Sequence, residues 1–209
     1  GLGDVYKRQD LVTSIAGAWH RSVRAHPSQR DEPVAGVAGH ALEIAAAAAV
    51  LRGEGDSALR DRVVLLAGDA AESSGVADDG GAAADAALSD GRALATAERW
   101  VQAQGGDPAV LTDSSLLMQP AIRSAVPAAT SGVVRSVDAA AVGMAARWLG
   151  TGRLDPDQVI DPSVGIQVLA RPGDRVQAGD PVCMVHASDD WLSRRGVELV
   201  SGAWVIEGG

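Results

Sequence analysis

The chain has 209 residues, 18 basic against 27 acidic side chains, and a formal net charge of −9 at pH 7. That length holds one large domain or two small ones, and 46% hydrophobic with 22% charged residues is the composition of a globular protein, which excludes disorder across the whole chain. A pI near 4.8 argues against a nucleic-acid partner, since that affinity comes from Lys and Arg displacing counterions from phosphates. The single cysteine, Cys183, excludes an internal disulfide and a multi-cysteine zinc site and fits a reducing, cytoplasmic setting. The longest apolar run, residues 45–51, falls far short of the roughly 20 residues of a bilayer span, so no membrane partner is expected. No basic segment followed by an apolar core and a cleavage site opens the sequence.

Residues 1–10 hold both the only lysine, Lys7, and the only tyrosine, Tyr6, and are read as extraneous to the fold. Residues 41–51, with Leu42, Ile44, Ala45, Ala48 and Leu51, are apolar on nearly every side, which predicts a buried helix, stopped by Gly53 and Gly55. A second helix is predicted over 57–74 from Leu59, Val63, Leu66, Ala67 and Ala70 at spacings of three and four. After the loop Asp78-Asp79-Gly80-Gly81, one helix is expected over 83–104, ending at Gly105-Gly106-Asp107-Pro108. Residues 111–130 contain Pro120 and Pro127 and read as an extended linker. From Ser131 onward, valine-rich runs broken by Gly, Pro and Asp predict strands at 133–138, 164–170, 181–186 and 197–206. One helix interrupts them at 139–149, with a stripe of Val142, Ala145, Ala146 and Leu149.

Several of these stretches carry a longer pattern. The run Glu32-Pro33-Val34-Ala35-Gly36-Val37-Ala38-Gly39-His40-Ala41-Leu42-Glu43-Ile44 resembles, without a gap, the Gln-Pro-Leu-Gly-x-Ala-Val-Gly-Asn-Ala-Leu-Glu-Val segment of the thymidine and pyrimidine-nucleoside phosphorylase family. Gln104-Gly105-Gly106-Asp107, then Gly143 through Leu149-Gly150-x-Gly152-Arg153, then Ile160-Asp161-x-x-Val164-Gly165-Ile166, then Gly173-Asp174-x-Val176-x-x-Gly179 and Val185-His186 follow in the family's order. The likeness covers residues 33–206, and it is to the carboxyl-terminal portion of the family.

The resemblance implies an intact homodimeric glycosyltransferase that uses phosphate to split a pyrimidine nucleoside into free base and (deoxy)ribose 1-phosphate. It also implies that the groups gripping substrate lie upstream: a glycine-rich phosphate loop beside a Lys-His-Ser run, and the Arg, Ser and Lys that hold the pyrimidine. None of these motifs occurs here. A phosphate dianion needs preorganised cations and backbone donors, and a chain with no lysine beyond Lys7 is expected to be inactive alone. Some bacterial members hold potassium through two backbone carbonyls and a glutamate. The matching positions are Val34, Val37 and Ala46, and alanine supplies no anionic oxygen. Two further departures are His40, where the family has Asn, and the run Ala25-His26-Pro27-Ser28-Gln29-Arg30, where it has an apolar strand.

Each chemically tempting residue also has a plain reading. The run 173–181 reads as the turn of a barrel-sandwich hairpin, its glycines supplying positive φ. Biotinyl and lipoyl carriers share that shape but need a lysine at the tip, and residues 8–209 have none. Ser188, His186 and Asp189 list the types of a nucleophilic triad, yet near neighbours on a strand point to alternate faces, so His186 reads as ending a strand. His20, His26 and His40 lack zinc-site spacing. Cys183 lies in an apolar run and reads as inert core. Asp155, Asp157, Asp161, Asp174 and Asp180 sit beside Pro or Gly, where aspartate bonds its own backbone, and no calcium-loop series is present. Trp100 and Trp148 read as core or interface anchors, and Asp78-Asp79 and Asp189-Asp190 as solvated loops.

The expected fold is α+β. A helical remnant of a large α/β domain over 11–110 precedes the linker 111–130 and a β-rich barrel-sandwich, or hammerhead, carboxyl-terminal module over 131–209. No catalytic, cofactor-binding or metal-ligating residue is assigned, and no cofactor is expected. Phosphate and a pyrimidine nucleoside are the substrates implied for the intact protein, with a structural role for this part of it. The competing reading is a non-catalytic, stand-alone module that keeps the scaffold.

Overall fold

The computed structural model describes residues 2–21, 23–26, 33–153 and 155–208. It divides into two compact units, residues 1–29 with 62–86, and residues 30–61 with 87–209. The helices are α1 (Leu2–Ala18), α2 (His40–Leu51), α3 (Ser57–Ser73), α4 (Gly80–Ser89), α5 (Arg92–Ala103), α6 (Ala139–Ala146) and α7 (Asp190–Val200). The strands are β1 (Val37–Ala38), β2 (Ile122–Pro127), β3 (Gly132–Val137), β4 (Gly165–Val168), β5 (Arg175–Val176), β6 (Pro181–Ala187) and β7 (Trp204–Glu207). The mixed α+β class expected from the sequence is the class observed.

Within the smaller unit, α3 and α4 cross through glycine. A Cβ on Gly80 would lie 1.9 Å from the Gly68 carbonyl oxygen, so only paired glycines permit this approach. Gly80 and Gly81 therefore belong to the helix and not to the loop before it. Arg24 donates to Asp69 at 2.6 Å and to Glu72 at 2.8 Å, and His26 pairs with the same Asp69.

In the larger unit the strands form two antiparallel sheets, ordered β1-β4-β6-β2 and β5-β3-β7. Both sheets are open, consistent with a sandwich-type module, and the word barrel fits them only loosely. The core is aliphatic and phenylalanine-free: Val126, Val134, Val137, Val142, Val164, Ile166 and Val185 are all at most 1% exposed. Burying each such side chain contributes roughly 1.5–3 kcal/mol. All four predicted stripe residues, Val142, Ala145 and Ala146 of α6 and Leu149 of the π-helical turn that follows it, are buried in it, and Asp138 caps α6 by accepting from Ala140 and Ala141 N–H.

Four stretches differ from expectation for identifiable reasons. The single helix predicted over 83–104 is two, because Gly91 turns left-handed at φ +82 and Asp90 accepts the Arg92 N–H to start α5. The stretch 111–130 contains short 3-10 turns and the whole of β2, which runs between Pro120 and Pro127 and pairs along its length with β6. Residues 197–200, predicted as strand, close α7: Asp189 accepts the Leu192 N–H to open the helix, and Val200 is fully buried. The chain extends again only at Trp204. Lastly, 173–181 is not one hairpin. Gly173 and Gly179 do take φ +98 and +94, but between them β5 pairs with β3, so the chain changes sheets there.

Helix α2 is also less enclosed than its composition predicts. Ala48 and Val50 are buried, while Ile44 is 43% exposed. Its start is fixed by a contact between two glycine backbones: a Cβ on Gly39 would sit 2.5 Å from the Val164 carbonyl oxygen, and one on Gly165 would sit 2.4 Å from that of Ala38. Gly39 and Gly165 both lie in the family-like runs, and this close approach gives each a physical reason.

Candidate functional site

Strand register sets Arg123 of β2 opposite His186 of β6, and His186 opposite Gly165 of β4. Directly paired residues share a sheet face, so the three form a row. Above it lies a cavity of about 170 Å³, lined by Ala41, Leu42 and Ala45 of α2, by the segment from Ser114 to Pro120, and by Arg123, Ser163 and His186. His186 is 6% exposed. Burial, and secondarily the Arg123 guanidinium, hold its pKa below the ordinary imidazole value, so the ring is neutral at pH 7. Its Nε2 is buried and has no hydrogen-bond partner among the described residues. Arg123 donates to the Gln119 Oε1 at 2.7 Å.

The imagined triad does not assemble. Asp189 is occupied as the cap of α7 and lies in an exposed bend, as its reading as a solvated loop has it, and His186 is the last residue but one of β6. Cys183 is fully buried, and burial pushes its thiol up to about 12, as an inert core residue requires. Aspartates behave as turn formers: Asp161 accepts from Ser163, Asp174 from Arg171, Asp180 from Gln177 and Asp155 from Asp157. His20 and His40 are exposed. Trp100 and Trp148, at 65% and 39% exposure, are not core. Trp204 is the buried indole, donating from Nε1 to the Ala170 carbonyl.

A second cavity, of about 330 Å³, is lined by Ala35, Val37, Glu43, Ala46, Ala47 and Leu59. Val37 and Ala46 are two of the three positions that the family resemblance ties to potassium. The side chains there do not suit a hard cation, which is held by several oxygen donors. Ala46 offers none, and the nearby carboxylate of Glu43 accepts the Gly39 N–H at 3.1 Å to brace the start of α2. Among the described residues no three His, Cys, Asp or Glu side chains converge as a metal cluster, and no helix is long and apolar enough to cross a membrane. Glu32, Pro27, Ser28, Gln29 and Arg30, which figure in the sequence comparison, lie outside the described residues.

The larger unit is thus a two-sheet α+β module joined to α2 through a glycine contact, and the nucleophile, base and orienter imagined from the sequence do not converge in it. Residues 133–207 match the family model of the pyrimidine nucleoside phosphorylase C-terminal domain. Over 198 residues the chain is 33% identical to a pyrimidine-nucleoside phosphorylase of Bacillus subtilis (strain 168), covering 90% of this chain and 46% of that protein. It is 37% identical over 182 residues to a thymidine phosphorylase of Burkholderia cenocepacia (strain HI2424), covering 84% and 41%. With a thymidine phosphorylase of Mesorhizobium japonicum the identity is 36% over 202 residues, covering 94% and 46%. The chain belongs to the thymidine and pyrimidine-nucleoside phosphorylase family and corresponds to its carboxyl-terminal portion. It spans less than half the length of the curated relatives it matches.

Sequence reasoning did not bring Arg123 and His186 together, because Arg123 lay in the presumed linker. The available signal was the alternation Ile122-Arg123-Ser124-Ala125-Val126 between two prolines, which suits a strand with one buried face.

Proposed function

We propose that this chain is the carboxyl-terminal part of a pyrimidine nucleoside phosphorylase, a pentosyltransferase that cleaves a pyrimidine nucleoside with phosphate to free base and (deoxy)ribose 1-phosphate. In this reading the intact enzyme is a cytoplasmic homodimer, and the present residues are structural, supporting the domain that closes on substrate. Residues 11–110 are the helical part of the phosphorylase domain, 111–130 connect it, and 131–209 are the carboxyl-terminal domain, with 1–10 extraneous. The observation that carries the reading is the colinear relationship spanning 84–94% of this chain but only 41–46% of its relatives. Its sequence agrees: apart from Lys7 the chain has no lysine, and neither the Lys-His-Ser run nor the glycine-rich loop that the family resemblance ties to substrate phosphate occurs in it.

The reading frame upstream tests this directly. A glycine-rich loop beside a Lys-His-Ser run, in frame with Leu11, is the expected result. A start codon immediately before Asp10 would instead make the chain a stand-alone module without phosphorolytic chemistry.

A further inference from the structure

The cavity over the Arg123, His186 and Gly165 row has donors that the protein itself does not use. Gly165 contributes no side chain, and Leu42 closes over it, since a Cβ there would come 3.0 Å from the Leu42 Cδ1. The space left, about 170 Å³, is close to the roughly 150 Å³ cavity that accommodates one benzene, so it admits a small polyatomic ion. His186 Nε2 is buried without a partner among the described residues, whereas buried polar atoms are nearly always paired. Arg123 donates to a neutral amide oxygen, that of Gln119, and has no carboxylate partner among the described residues. Among the described residues no Asp or Glu lines the cavity. Of the two serines in its wall, Ser163 donates its hydroxyl to Asp161 at 2.6 Å.

We propose that this cavity binds a small oxyanion, a phosphate, sulfate or short carboxylate, held by the Arg123 guanidinium with His186 Nε2–H as a second donor. A guanidinium presents a planar fork of N–H groups matched to such oxygens, and a neutral imidazole carries its proton on Nε2 in one of its two tautomers. The bound anion gives His186 Nε2 a partner and counters the Arg123 charge beside the neutral ring. The role assigned to these residues is binding of the anion, with no turnover assigned to them. It does not depend on the function proposed above.

The test is titration of the 209-residue chain with inorganic phosphate, with acetate, and with glycerol as an uncharged control. The His186 imidazole nitrogens are followed by NMR and the heat by calorimetry. Saturable binding of either anion that moves the His186 Nε2 resonance supports the site, as does a loss of about tenfold or more in affinity in Arg123→Gln with an unchanged melting temperature. An unmoved Nε2 resonance overturns it, as does equal affinity in Arg123→Gln. A matching response to glycerol also overturns it, because it would show an apolar void filled by any small solute.

Discussion

Replacing Gly165 with alanine probes the contact that joins α2 to the sheet. An ideal Cβ at this position lies 2.4 Å from the Ala38 carbonyl oxygen and 3.0 Å from the Gly39 Cα. Both obstacles are main chain, so no rotamer change relieves them. Restoring a tolerable separation means parting β1 and the start of α2 from β4 by about 0.6 Å, inside a core packed as densely as a crystal. Overpacking typically costs about 1–3 kcal/mol, and the rigidity of both partners puts Gly165→Ala near the top, at about 3 kcal/mol. For a protein of this size that corresponds to a fall of about 6–12 °C in Tm. Urea and thermal unfolding followed by circular dichroism measure it. Gly143→Ala is the control: Gly143 lies inside α6, and a Cβ there meets nothing within 4 Å, so it should stabilise by about 0.5–1 kcal/mol. A Gly165→Ala variant within about 0.5 kcal/mol of the parent, or a Gly143→Ala variant that loses more than it, would refute the packing argument.

Ala35 occupies the left-handed region at φ +60, at a position where the family pattern has glycine. Left-handed backbone costs an L-residue about 1–2 kcal/mol and glycine's extra unfolded-state entropy returns about 0.4–1, so Ala35→Gly should gain about 0.5 kcal/mol in urea unfolding; destabilisation would contradict the backbone assignment. Cys183 should resist thiol reagents until the chain unfolds, and fast labelling of native protein would contradict its burial. Because its folded pKa is raised, its contribution is complete below the ordinary thiol value and is lost as pH climbs from about 9 toward about 12, with a slope of at most about 1.4 kcal/mol per pH unit; Cys183→Ala should flatten that alkaline arm. In the smaller unit, His26 and then Arg24 hold Asp69 below the usual carboxylate range, and Arg24 does the same for Glu72. These depressed values mean stability present at neutral pH and lost as pH falls through them, so Asp69→Asn should show a shallower acid arm in pH-dependent unfolding.

What could be read in advance followed from local rules. The stripe at 142–149, the valine-rich strand at 164–170, the aspartate turns and the positive-φ glycines at 173 and 179 all depend on neighbours within a few residues. The departures needed distant partners. Nothing local tells that Ile122 to Val126 pairs with β6, that α7 approaches Val185 and Leu149 closely at Gly196, or that Gly68 and Gly80 back onto each other. The candidate site was illegible for the same reason. Arg123 and His186 are 63 positions apart and meet only through strand register, and the empty place beside them is a glycine.

The central claim is that these residues are scaffold for chemistry performed elsewhere in the enzyme. Incubating the purified 209-residue chain with thymidine and inorganic phosphate, and following release of thymine, tests it most directly. The account predicts no turnover above the uncatalysed background at any phosphate concentration, even where the oxyanion cavity is saturated. Phosphate-dependent thymine release that persists through purification and scales with the chain's concentration would contradict it.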